Sequence, residues 1–119
     1  MLRPGPSRDI AMDVIFEELD AVANERRRRA TAYLEFLRVQ SMSAGVYVLP
    51  AGGVDGQSPH KQDELYYVIS GKARMRAGAE DRSIGEGALI FVAADVEHRF
   101  YAIEEELKLL VFFAPPEAG

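Results

Sequence analysis

An all-β sandwich or barrel preceded by a short helix is the fold class this sequence predicts, and three observations carry it. From residue 31 onward, short runs rich in β-branched and aromatic residues follow one another. Small or glycine-containing turns separate those runs. Several runs are also too apolar for strands with one face in water.

Taken in order, residues 1–8 read as a flexible leader rich in Pro, Gly and Arg. Residues 9–30 read as an amphipathic helix. Ile15, Leu19 and Val22 recur at helical offsets, with Asp13, Glu17 and Glu18 early and Arg26 to Arg29 late, an order that suits the helix dipole. Residues 31–116 read as the barrel. Its expected strands are Tyr33–Val39, Gly45–Leu49, Glu64–Ile69, Ala73–Arg76, Ala88–Val92, Glu97–Ile103 and Leu107–Phe113. Seven strands in so short a chain close into a sandwich or a barrel.

Composition bounds the rest. At 119 residues the chain is one domain. No cysteine is present, which excludes disulfides, thiolate catalysis and Cys-ligated metal sites. Any metal must be held by nitrogen and oxygen. Nineteen acidic against fourteen basic residues give a net charge of −5, which argues against nucleic acid and anionic membranes as partners. No stretch approaches the roughly 18 apolar residues of a membrane span, and Arg3 is followed by no signal-peptide core. The expectation is a soluble cytoplasmic protein.

Three runs would put apolar groups on both faces of the sheet: Leu65 to Ile69, Leu89 to Val92 and Leu109 to Phe113. The available covers are the N-terminal helix and a second copy of the chain, so a homodimer is expected.

Both histidines of the chain fall at the starts of expected strands. His60 closes a Gly- and Pro-containing loop four residues before Glu64, and His98 opens a later strand. Two imidazoles and a carboxylate at a barrel mouth form a donor set suited to octahedral Fe(II), Mn(II) or Ni(II), or to catalytic zinc. The competing reading is of ordinary polar residues at strand ends.

At these residues the chain resembles the cupin family. Gly52, Ser58, Pro59, His60, Glu64 and Gly71 keep the spacing of the first cupin motif, with Ser58 in place of its first histidine. Gly87, Ala93, Asp95, His98 and Ala102 follow the second motif, where only the glycine and His98 match the family's residue types. The resemblance extends over the strand region from about Tyr33. It implies a double-stranded β-helix (jelly-roll barrel) and one divalent transition metal (Fe, Mn, Ni or Zn) on His60, Glu64 and His98. Gln62 and Ser58 are candidate additional donors. Tyr66, Val68, Phe91 and Phe100 are expected to wall a substrate pocket, while Arg74 and Arg76 read as an exposed polar face, the alternative being an inward face that binds an anionic substrate.

The function expected from this set is that of a metal-dependent small-molecule enzyme, dioxygenase- or isomerase-like. The alternative is a non-catalytic ligand-binding or storage module, which the Ser58 replacement favours. No dedicated general base stands out in the sequence.

Overall fold

The computed structural model describes residues 13–56 and 59–117. The expected leader and Ser58 lie outside the described residues. Helix α1 (Leu19–Arg29) precedes strands β1 (Tyr33–Arg38), β2 (Ser43–Leu49), β3 (Asp63–Ala77), β4 (Glu80–Gly85), β5 (Leu89–Val92) and β6 (His98–Ala114). All pairings are antiparallel, in the order β1-β2-β6-β3-β4, with β5 on the other edge of the first half of β3. This is the jelly-roll architecture the sequence predicts.

The strands differ from expectation in an instructive way. Glu64–Ile69 and Ala73–Arg76 form one bent strand, β3, and the last two expected strands form one bent strand, β6. The Ser70-Gly71 and Glu104-to-Glu106 breaks are bends inside strands. Register shifts between Val68 and Arg74 absorb the bend, and they turn the inward set from Glu64, Tyr66 and Val68 to Ala73 and Met75. Strand β4 is not among the expected strands. Its sequence, EDRSIG, has a single strongly apolar residue, and it forms because β3 offers it a complete edge from Lys72 to Ala77.

Gly71 is the hinge of this bend. Its φ is +106°, and a Cβ there would strike the Glu106 carbonyl oxygen and lie 2.7 Å from Leu107 Cα. Gly71→Ala is therefore expected to destabilise the protein by about 3 kcal/mol or more, since backbone strain and overpacking each cost about 1–3 kcal/mol. Urea unfolding checks this; an unchanged midpoint would show that the bend tolerates a side chain.

The helix is shorter than expected. Residues 13–18 are not helical, and only Val22 and Ala23 of α1 are buried. The segment LDAVANERRRR is too polar to bury a full stripe, and Ala30 ends it in a left-handed conformation, φ 52°. Val22 packs with Val46 and Val48 of β2 against Leu34, Phe36 and Leu110. The helix thus covers the outer face of the sheet at its β1–β2 edge, in its own chain. Inside, Tyr66, Val68, Met75, Val92, Phe100, Ile103, Leu107, Leu109, Val111 and Phe113 form the core.

At the other end the outer face is bare. Leu65 faces Phe91 and Tyr67 faces Leu89 in register, and all four side chains are exposed, Leu89 by 70% and Phe91 by 63%. Phe91 is thus a correction to the expected pocket wall. On β5 it is Ile90 and Val92 that turn inward, because Val92 pairs with Glu64 and shares its face.

Candidate metal centre

Strand alternation places the site. From Lys61 to Val68 every second residue is buried: Gln62, Glu64, Tyr66 and Val68. These four share the interior phase, as a half-exposed strand requires. His98 and Phe100 enter from the start of β6, opposite Ala77 and Met75, and both are buried. The bends of β3 and β6 bring that end over the Glu64 end of β3.

His60 comes from the loop between β2 and β3, which several bonds tie to the barrel. Asp55, itself buried, accepts from the Phe100 backbone N–H and the Tyr47 hydroxyl, both at 2.9 Å. Gly52 N–H donates to the Ile103 carbonyl, and Asp95 N–H to the His60 carbonyl at 2.7 Å. The His60 ring lies edge-on to Phe113, centroids 5.1 Å apart.

One ligand atom each from His60, Glu64 and His98 lies within 4.8 Å of the others. His98 Nε2 is 3.0 Å from Glu64 Oε1, and His60 Nε2 is 3.9 Å from Glu64 Oε2. An ion bound at about 2.0–2.2 Å holds its ligands roughly 3–4 Å apart, so these gaps fit one ion with small adjustments.

The His98 tautomer fits as well. Its Nδ1 lies 2.9 Å from the Val96 carbonyl, which can only accept, so Nδ1 carries hydrogen and Nε2 turns a lone pair or a proton toward Glu64. Burial on its own would lower the His98 pKa, but the hydrogen bond and charge of Glu64, with the Val96 carbonyl, outweigh it and raise it. Glu64 is 2% exposed, and a polar group buried so deeply needs hydrogen-bonding partners, of which His98 is one.

Tyr66 reads from the sequence as a wall residue only. Its ring does pack on Phe100, centroids 5.1 Å apart, but its hydroxyl sits inside the cluster. The Tyr66 O–H donates to Glu64 Oε2 at 2.7 Å and lies 3.0 Å from His98 Nε2. Val68 and Phe100 are buried beneath it as packing. Gln62 is buried one step ahead of Glu64 on the same phase.

Two further participants carry no signal in the sequence. Asp55 lies in a stretch that reads as plain loop. Glu117 lies just past the expected end of the barrel, yet its Oε2 is 3.4 Å from His60 Nδ1. It is held by a bond from its N–H to Ser43 Oγ and by Arg38 on its carbonyl. Nothing in the spacing from residue 60 to 117 signals that approach. Asp81 pairs with both Arg74 and Arg76, at 3.1 and 3.2 Å, with Ser83 and Tyr101 joining Arg74, and Arg76 also lines a hollow that His98 borders.

Comparison with known proteins gives the family to which this fold belongs. A cupin-domain family model matches residues 45–113, which hold all three candidate ligands. The chain is a cupin. An uncharacterized protein of Streptomyces coelicolor is 46% identical over 100 residues, 84% of this cupin and 95% of that protein. Among solved structures, TT1209 from Thermus thermophilus superposes with a TM-score of 0.70 at 21% identity, over 87% of this cupin and 99% of that chain. The DMSP lyase DddQ from Ruegeria pomeroyi DSS-3 superposes with a TM-score of 0.60 at 25% identity, over 64% of this cupin and 39% of the lyase.

Proposed function

We propose that this cupin is a metal-dependent enzyme that moves a proton on a small oxygen-bearing substrate, as a lyase or isomerase does. The observation that carries the reading is the Tyr66 hydroxyl, within 3.0 Å of both Glu64 and His98. His60, Glu64 and His98 would hold one divalent ion, which supplies Lewis acidity toward a substrate carbonyl or carboxylate. Tyr66 then provides what the sequence alone leaves unassigned: a proton donor and acceptor at the ligand cluster. With Glu64 beside it, its proton has a place to go when the phenol acts as base. Burial of Tyr66, Phe100 and Val68 keeps bulk water from that atom. The likeness to a DMSP lyase supports lyase-type chemistry over oxygen activation.

The test begins with elemental analysis of the purified protein, where about one equivalent of a transition metal is expected. The loaded protein is then incubated with enolisable oxo- and hydroxy-acids in deuterium oxide. Deuterium entering next to the carbonyl, seen by NMR, supports the reading. A protein that refuses iron, manganese, nickel and zinc would instead support the non-catalytic ligand-binding alternative.

We further propose a homodimer through the bare outer face of β3 and β5. Leu65, Tyr67, Leu89 and Phe91 continue the sheet face that α1 covers at the β1–β2 edge, so the uncovered half fits a second copy. At micromolar concentration the parent is expected to sediment as a dimer and Leu89→Glu as a monomer. A monomeric parent would refute this.

A further inference from the structure

Two apolar surfaces lie uncovered among the described residues. One is the outer face of Leu65, Tyr67, Leu89 and Phe91. It runs into a groove of about 450 Å³ between β4 and β5, with Met75, Ile84, Ile90 and Val92 on its interior side and Leu89 and Phe91 at its rim. Among the described residues β4 and β5 each pair with β3 and not with one another, so the barrel is open along this seam. The charged residues of the lining, Glu80 and Arg82, bond each other at 3.0 Å, which leaves a seat for apolar groups.

The other surface is the arm ahead of α1. From Val14 to Glu18 the chain is not helical and its exposure alternates. Val14 is 70% exposed and Phe16 85%, while Ile15 and Glu17 are half-buried. This is the period of a strand, so Val14 and Phe16 share one face, spaced as Leu89 and Phe91 are on β5.

Area decides what covers the two surfaces. The face of β3 and β5 exposes the equivalent of about two whole side chains, roughly 400 Å² at about 150–250 Å² each. A stable interface needs about 800 Å² from each partner, so two such faces pressed together fall short by about half. Val14, Phe16 and Leu19 expose the equivalent of about two more side chains. Face and arm together reach the required area, and neither does alone.

We propose that each copy in a pair seats Val14 and Phe16 of its arm in the β4–β5 groove of the other. The inference rests on the homodimer proposed above and names the segment that forms it. A two-fold axis makes the contact twice, arm to groove and groove to arm. Ile15 stays against its own chain, so the arm is held between the two copies. The groove reaches Val96, whose carbonyl holds the His98 ring, so a seated arm also walls the turn behind the ligand cluster.

The chain contains no cysteine, so introduced thiols report the contact directly. Ala93→Cys, in the lining of the groove, is combined in one chain with Asp13→Cys or with Glu18→Cys, at the two ends of the arm. All three positions are exposed, and the apolar anchors are kept. A short bismaleimide is expected to give a covalent dimer in one of the two double variants, according to the direction of the arm, and in none of the single ones. Sedimentation of the full chain supplies the second readout. Phe16→Ser is expected to raise the dissociation constant of the dimer at least about a hundredfold, because an aromatic anchor is lost from both seats. A cross-link within one chain would put the arm in its own groove and overturn the inference. So would a covalent dimer from Ala93→Cys alone, which means two faces meeting directly, or a Phe16→Ser protein as dimeric as the parent. These three results leave a dimer standing or are read without one. A monomeric parent would sink the dimer itself, and the inference with it.

Discussion

Replacing His98 by alanine is expected to empty the site of metal, from about one equivalent to less than about a tenth. Altering partners that merely orient a ligand already costs about 10–100-fold in metal affinity, and removing one of three ligands costs more. The folded state also suffers. Glu64 and His98 side chains are each 1% exposed and 3.0 Å apart, and breaking a buried pair of this kind costs about 3–5 kcal/mol. Unfolding alone would also release metal, so the experiment includes Leu109→Ala. Leu109 is fully buried in the core, away from the ligand set, and its truncation costs about 2–5 kcal/mol. Comparable unfolding midpoints, with metal kept in Leu109→Ala and lost in His98→Ala, would assign the loss to the ligand. Metal retained by His98→Ala would remove His98 from the ligand set.

The parts of this site that are legible in the sequence are those that strand alternation carries. Glu64, Tyr66 and Val68 share a phase whatever the barrel does around them, and His98 and Phe100 repeat it on β6. Phe91 shows where alternation stops helping. Its run, Leu89-Ile90-Phe91-Val92, is apolar throughout, so sequence cannot tell inside from outside; the pairing of Val92 with Glu64 decides. The strand breaks are illegible for a related reason. A glycine with positive φ ends one strand and bends another, and only the partner strand determines which happens at Gly71.

The electrostatic roles are harder still to read. The Tyr66 hydroxyl, Asp55 and Glu117 act through contacts that depend on the closed barrel. Asp55 reaches Phe100 across 45 residues, and Glu117 reaches Ser43 across 74. No local pattern encodes such pairs, because each partner is an ordinary polar residue in its own segment. The common effect of Asp55 and Glu117 is to fix the His60 side of the site. Asp55 fastens the loop that carries His60 to β6, and Glu117 stands at the far nitrogen of the ring. The two histidines are therefore oriented by different means: His98 by a backbone carbonyl of its own turn, His60 by side chains from distant elements.

Tyr66→Phe is the variant that separates chemistry from architecture. It removes one oxygen and keeps the ring that packs on Phe100. Turnover, read as deuterium incorporation, is expected to fall by about 10²–10⁴-fold, the range a positioned acid–base group supplies. The fall should appear in kcat with little change in KM, since the proton moves only on the way to the transition state. Metal content should stay near one equivalent, because His60, Glu64 and His98 are untouched. Stability should drop by only about 1–3 kcal/mol, the cost of leaving Glu64 Oε2 without its donor. Three results would each point elsewhere. Full turnover would reduce Tyr66 to a structural bridge between Glu64 and His98. Loss of metal together with turnover would make its oxygen a ligand. A rise in KM at constant kcat would place the hydroxyl on the bound substrate, as a binding group and not as the carrier of the proton.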